Sequence, residues 1–216
     1  MLWGIEMPEV YYFVKTEEVD DILDCGMKLS SFHDKKVMVE GVEKLCFSAL
    51  LNPKDDLDKY RDSNYTCLKL QVLSKYCFAA DKFIYDALNS ASQSMELYYN
   101  SIIPLEKYTF GTYRLPECLV TTTILQGEAK VLDKRMDSPV IYSNSEQLYI
   151  NNIIETLREK NEELEDCMLY SLLDRLYELG CVEKIEHQGP NAIFKDARGS
   201  IYCIKRPDMD KVCCSL

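Results

Sequence analysis

Apolar and polar positions change period several times along the chain, and each change marks an element. Val10 to Val14, in VYYFV, is a short run of strand formers. Thr16 follows with acidic residues in the next turn, a capping signal whose acids suit the positive end of a helix dipole. Val19, Ile22 and Leu23 then fall at helical spacing, and Gly26 is a good helix stop. KLCFSALLN over 44–52 is an apolar run closed by Pro53 and the charged turn KDDLDKYRDSN. YTCLKLQVL over 65–73 alternates and predicts a strand. CFAADKFIYDALNSASQSMELYYNSI over 77–102 predicts helix with a polar break at Asn-Ser-Ala-Ser. ECLVTTTIL over 117–125 predicts another strand, and SPVIYSN over 138–144 a further short one.

After about residue 145 the pattern becomes strongly helical. Ile150, Ile153, Ile154 and Leu157 form one apolar stripe; Leu164, Met168, Leu169, Leu172, Leu173 and Leu176 form a second, ended by Gly180. Short strands are expected beyond it, around turns at Gly189-Pro190 and Arg198-Gly199. Helices followed by a hairpin are the pieces of a winged-helix module. The expected organisation is therefore an α+β domain over 1–145 and a helical pair with a β-hairpin over 146–216.

Composition narrows the function. The chain has 216 residues and a net charge of −11. That charge opposes a broad, non-specific grip on nucleic acid, which needs many phosphate-neutralising cations. Residues 151–180 carry an excess of acids, wrong for a helix in a DNA groove, while Lys195, Arg198, Lys205 and Arg206 make the hairpin mildly basic. Apart from Cys213-Cys214, the ten cysteines are scattered singly, as in KLCFSALL and YTCLKL, with no C-x-x-C, and the histidines are only His33 and His187. Reduced core thiols in a cytoplasmic protein are the expectation, with no metal site. MLWGIEMPEV lacks the pattern of a secretory signal, and no segment approaches the length of a membrane span. The final Cys213-Cys214-Ser215-Leu216 formally fits a prenylation box, but no polybasic segment lies just upstream, and a frayed tail is the better reading.

Common catalytic signatures are missing. The sequence has no phosphate-binding glycine loop, no G-x-S-x-G elbow and no H-E-x-x-H. What stands out is YRLPECLVTT over 113–122, where Pro116 is followed by Glu117 at the mouth of an apolar strand. Glu117 is either a strand-edge charge facing water or a carboxylate that a sheet holds at a cleft.

Three segments resemble the DarT-like family of the ADP-ribosyltransferase superfamily. These are YYFVKTEEVDDILDCGM, then LCFSALLNP, then YRLPECLV, the last matching the family's glutamate-led catalytic strand. The resemblance covers about residues 9–145 and extends to EAKVLDKRMDSPVIYSN, where the family has a helical step and a short strand. It implies a split antiparallel β-sheet core and NAD as substrate. It implies Glu117 as the catalytic carboxylate, and Tyr12 and Ser48 as residues that contact NAD. Tyr12 stands where the family usually has a histidine, and Lys15 where it has a later one. The family's arginine ahead of the second strand has no match, since FHDKKVMVEGVEK offers only lysines. Arg61 and Arg114 are candidates for NAD contact by proximity in sequence.

The expected function is a mono-ADP-ribosyltransferase-like, toxin-type protein. Its acceptor would be a nucleobase or a protein, and its C-terminal helices would make a homodimer or hold a partner. The competing expectation is a non-catalytic interaction protein that uses its C-terminal module.

Overall fold

The computed structural model describes residues 7–39, 41–91, 95–132, 144–160, 163–185 and 189–208. Residues 138–143 of the strand expected over 138–144 lie outside them, as does the Cys213-Cys214-Ser215-Leu216 tail. In chain order the elements are β1 (Glu9–Lys15), α1 (Val19–Cys25), α2 (Leu29–Phe32), β2 (Lys35–Val39), β3 (Val42–Leu50), α3 (Leu57–Arg61), β4 (Tyr65–Gln71), β5 (Cys77–Asp81), α4 (Lys82–Ala91), α5 (Glu96–Ser101), β6 (Ile103–Pro104), β7 (Pro116–Val120), β8 (Ala129–Val131), α6 (Ser145–Lys160), α7 (Leu164–Glu178), β9 (Val182–Ile185), β10 (Asn191–Asp196) and β11 (Ile201–Lys205). Two compact units divide at Ile150, within the helix that starts at Ser145.

The first unit is α+β. Eight strands form one sheet in the order β6-β5-β7-β3-β1-β4-β8, with β2 also paired to β3, and every pairing is antiparallel. β3 is shared between neighbours. Its first half pairs with β2 from Val39↔Val42 to Lys35↔Cys46, and its second half pairs with β7 from Phe47↔Val120 to Leu50↔Glu117. β1 meets β3 only at Tyr11↔Leu50, whereas it pairs with β4 along its whole length. The sheet is therefore nearly cut between β1 and β3.

Alternation of side chains sorts the core into two layers. Val10, Val14, Phe47, Ala49, Cys118 and Val120 face α1 and the chain after it, where Val19, Ile22 and Met27 complete the larger cluster. Cys46, Phe78, Ala80 and Leu119 face the opposite way and are covered by Tyr98 of α5, with Ile84 and Tyr85 of α4 packed alongside. Gly26 allows the close approach of the 26–27 segment to Ile124. Its φ is 77°, and a Cβ there would sit 2.3 Å from the Ile124 carbonyl oxygen.

Four expectations change. Residues 77–81 are a fully buried central strand rather than helix. Cys-Phe-Ala-Ala is a short continuous apolar run, and periodicity does not separate a buried strand from a buried helix at that length. Thr16 does not cap α1. Its hydroxyl donates to the Ser63 carbonyl at 3.1 Å and bonds the Thr66 hydroxyl at 3.0 Å, tying β1 to the start of β4. The strand expected over 117–125 stops at Val120, and Ile124 makes only an isolated bridge to Met27. Ala129–Val131, where the family resemblance implied a helical step, is a strand paired to β4.

In the second unit β9, β10 and β11 form an antiparallel three-stranded sheet. Leu173 of α7 is buried with Ala192 and Phe194 of β10, and Tyr170, Leu176 and Val182 pack against them. Leu173 and Leu176 of the stripe read in sequence thus lie on the packed face of α7. Met168, Leu169 and Leu172 of that stripe are exposed. Among the described residues no helix is long and apolar enough to cross a membrane. The described cysteines are free thiols; Cys46, Cys67, Cys77, Cys118 and Cys167 are buried, and Cys25, Cys181 and Cys203 are exposed.

Candidate functional site

The approach to β7 is held rigidly. Asp81, buried at the end of β5, accepts hydrogen bonds from the backbone N–H groups of Leu115 at 3.2 Å and Phe83 at 3.1 Å through Oδ1. Its Oδ2 accepts from the Arg114 N–H at 3.2 Å. One carboxylate therefore caps α4 and fixes the turn that delivers Pro116. Tyr113 adds a hydrogen bond from its hydroxyl to the Ser101 carbonyl at 2.6 Å.

Glu117 follows in β7, paired to Leu50 on one side and Ala80 on the other. It is 1 % exposed. This overturns the strand-edge reading, because β7 is a central strand and each of its residues is buried. Two residues before Leu119, Glu117 faces the α4–α5 layer, where an unpaired charge would be costly. Lys35 of β2 answers it, with Nζ 2.7 Å from both Oε1 and Oε2. The Lys35 side chain is itself only 8 % exposed. Tyr98 donates its hydroxyl to Oε1 at 2.7 Å, and the Lys35 ammonium lies 4.0 Å from the centre of the Tyr85 ring and 5.4 Å from that of Tyr98. Burial pushes the Tyr98 hydroxyl well above the ordinary tyrosine range, and the Glu117 carboxylate adds to it. Cys46, whose Sγ donates to the Lys35 carbonyl at 3.6 Å, is pushed up to about 12, mainly by burial and then by Asp34.

Glu117 also lines a cleft of about 210 Å³ at the β1–β3 split. Tyr11, Tyr12 and Phe13 form one wall and Ser48, Ala49 and Leu50 the other. Between its pairing with β2 and its pairing with β1, β3 presents Ser48 to a side chain. The Ser48 N–H donates to Asp34 Oδ2 at 3.2 Å and its hydroxyl to Oδ1 at 3.3 Å. Asp34 is exposed and lines the cleft too. The cleft thus holds two differently treated carboxylates, Glu117 buried and paired with a cation, and Asp34 exposed and held by Ser48. Tyr12 packs edge-on against Phe47, with ring centres 5.3 Å apart. Its hydroxyl is raised above the ordinary range by burial first, then by Asp34 and Glu18. Lys59 and Lys82 bring positive charge to the cleft wall; Lys59 pairs with Asp56 at 3.1 Å, and Lys82 also pairs with Asp86.

The structure brings Glu117, Tyr12 and Ser48 together. It does not bring Arg114 or Arg61 to them. Arg114 pairs with Glu146, Nε to Oε1 at 2.7 Å, and stacks 4.2 Å over the Phe83 ring. Arg61 lines a separate hollow of about 330 Å³ with Tyr60 and Gln147. Lys35, Tyr98 and Asp34 were missed in the sequence. A signal existed for Lys35: Val37 and Val39 are the inward positions of β2, and counting back by two puts Lys35 on the same face. Among the described residues no group of three or more His, Cys, Asp or Glu could hold a metal ion. Compared with known proteins, the chain matches no family model, no curated protein and no solved structure.

Proposed function

We propose that the cleft at the β1–β3 split takes NAD and that the chain is an NAD-dependent mono-ADP-ribosyltransferase-like protein. The observation that carries this reading is the setting of Glu117: a buried carboxylate in a central strand that lines a cleft where the sheet parts. A ribose hydroxyl would donate to Glu117 while the nicotinamide–ribose bond lengthens. Positive charge then develops on the sugar beside a fixed carboxylate, which stabilises it. Nicotinamide leaves with the bonding electron pair, and the acceptor's nucleophile bonds the ribose carbon and gives up its proton. Tyr12 and Ser48 would form the walls that orient the sugar. The cleft is smaller than the ~300–1,000 Å³ of a whole-ligand pocket, so it would hold the nicotinamide–ribose end of the dinucleotide. The net charge of −11 disfavours a polyanionic acceptor and favours a protein or small molecule.

A second reading rests on a different observation. Met168, Leu169 and Leu172 expose an apolar face on α7. A non-catalytic interaction protein would use such a face for a partner or a second copy of the chain, with Lys35 permanently occupying Glu117. Titration calorimetry with NAD separates the two. The transferase reading expects saturable binding that weakens about tenfold in Ser48→Val, by loss of a polar contact. No heat at millimolar NAD from folded protein would put the interaction reading first.

A further inference from the structure

We infer that Lys35 and Tyr98 are positioning residues that hold Glu117 as an oriented anion and leave one of its acceptor sites for a ligand hydroxyl. The proposal deepens the NAD reading and rests on it for nicotinamide release, though not for the state of the Glu117 carboxyl, which is read directly.

An ionised carboxylate offers about four lone-pair sites, two on each oxygen. Oε1 of Glu117 receives both Lys35 and Tyr98, at 2.7 Å each. Among the described residues, Oε2 receives Lys35 alone. The carboxylate is thus gripped on three sides and keeps one acceptor site, on the residue that lines the cleft. A group held this way cannot rotate without breaking a charge-assisted bond, and such bonds are roughly twice as strong as neutral ones.

The same grip sets the charge. Glu117 is 1 % exposed, so a carboxylate there has little hydration and needs an internal partner. The Lys35 ammonium is that partner, and the faces of Tyr85 and Tyr98 stabilise it in turn. The pair is then a fixed dipole with its negative end at the cleft. Other groups packed around it are Cys46 of β3, with a thiol raised to about 12, and Tyr98 itself, also raised, so both are neutral at ordinary pH. Asp34 stands exposed at the cleft. The group meeting Glu117 should therefore bring a hydroxyl and not a full positive charge, since Lys35 already compensates the anion. A ribose diol fits that description and a protonated amine does not.

The test uses full-length wild type, Lys35→Met, Lys35→Arg and Tyr98→Phe, with folding checked by circular dichroism. Nicotinamide release is followed alongside carbon-13 carboxyl spectra of glutamate-labelled protein, with Glu117→Gln giving the assignment. In Lys35→Met we expect kcat to fall on the order of 100-fold, with KM little changed. Lys35→Arg should restore most of the activity. The Glu117 carboxyl signal should move in Lys35→Met and return toward its wild-type position in Lys35→Arg. Tyr98→Phe, which keeps the ion pair and removes one hydroxyl, should lose about tenfold in kcat. A Lys35→Met protein with the wild-type kcat and an unmoved Glu117 signal would overturn the proposal. If wild type releases no nicotinamide, the transferase reading fails and the carboxyl spectra decide the positioning role alone. If Lys35→Met does not fold, unchanged activity in Tyr98→Phe, or in an inactive wild type an unchanged Glu117 signal, overturns it.

Discussion

Arg114 and Glu117 stand on the same short stretch, three residues apart, and each makes an ion pair, yet the two pairs live in different solvents. Arg114 meets Glu146 with side chains 40 % and 42 % exposed. Glu117 meets Lys35 with side chains 1 % and 8 % exposed. Water screens the first pair and competes for its hydrogen bonds, so its contribution is small. The second pair has given up most of its hydration and is held against tyrosine rings, so each partner depends on the other. A buried pair is weak grounds for stability, since two apolar residues would often serve the fold as well. That is the physical reason to look for another use of the Lys35–Glu117 pair and not of the Arg114–Glu146 pair.

The contrast breaks most visibly by removing one buried partner. Lys35→Met or Glu117→Ala should cost about 3–5 kcal/mol in urea unfolding, because an uncompensated charge stays inside. Replacing the whole group, as Lys35→Met with Tyr98→Phe and Glu117→Leu, should be more stable than either single variant, although the cleft loses its carboxylate. If the triple variant is less stable than the singles, the pair is structural and the contrast fails. Tyr98→Phe alone removes one donor to a charged acceptor and should cost about 1.5–3 kcal/mol in the same assay.

Alkaline pH probes a thiol that lies beside the buried pair. The Cys46 thiol is raised from 9.0 to about 12 in the folded protein, chiefly by burial. The folded state thus holds a proton that the unfolded chain releases. This contribution is fully present below pH 9 and is lost as pH rises from 9 toward 12. Thermal unfolding over that window should show a shallower loss in Cys46→Ser, which has no thiol to ionise. Smallest of all, Arg114→Ala should cost about 0.2–1 kcal/mol, and less at about 1 M salt than at about 0.05 M. A larger, salt-independent loss would show that stacking on Phe83 outweighs the pair.

Much of the sheet was legible because its strands carry their own pattern. Val10–Val14 is a run of strand formers, Tyr65–Gln71 alternates, and KLCFSALLN over 44–52 is an apolar run closed by Pro53. β5 was not legible: its period vanishes once all five residues are buried, so length alone had to separate strand from helix. Glu117 was visible as an isolated acid beside proline. Its partner was not, because a buried lysine looks like any lysine until the strand phase is known. The arginines failed for a related reason. Nearness in sequence to β3 or β7 does not specify which side of a turn a side chain takes, and Arg114 turns to Glu146 while Arg61 closes α3 beside another hollow. On α7 the apolar count predicted a buried stripe; Cys167 and Leu173 are buried, Leu173 against the three-stranded sheet with Leu176 packed beside it, while Met168, Leu169 and Leu172 are exposed.

The central claim is that Glu117 works at the cleft and is more than a compensated charge in a strand. Nicotinamide release from saturating NAD, by wild type and Glu117→Gln side by side, tests it most directly. The account predicts measurable release by wild type and a loss on the order of 100-fold or more in the amide variant, with both proteins folded. Equal rates from the two, or no release from either, would contradict it.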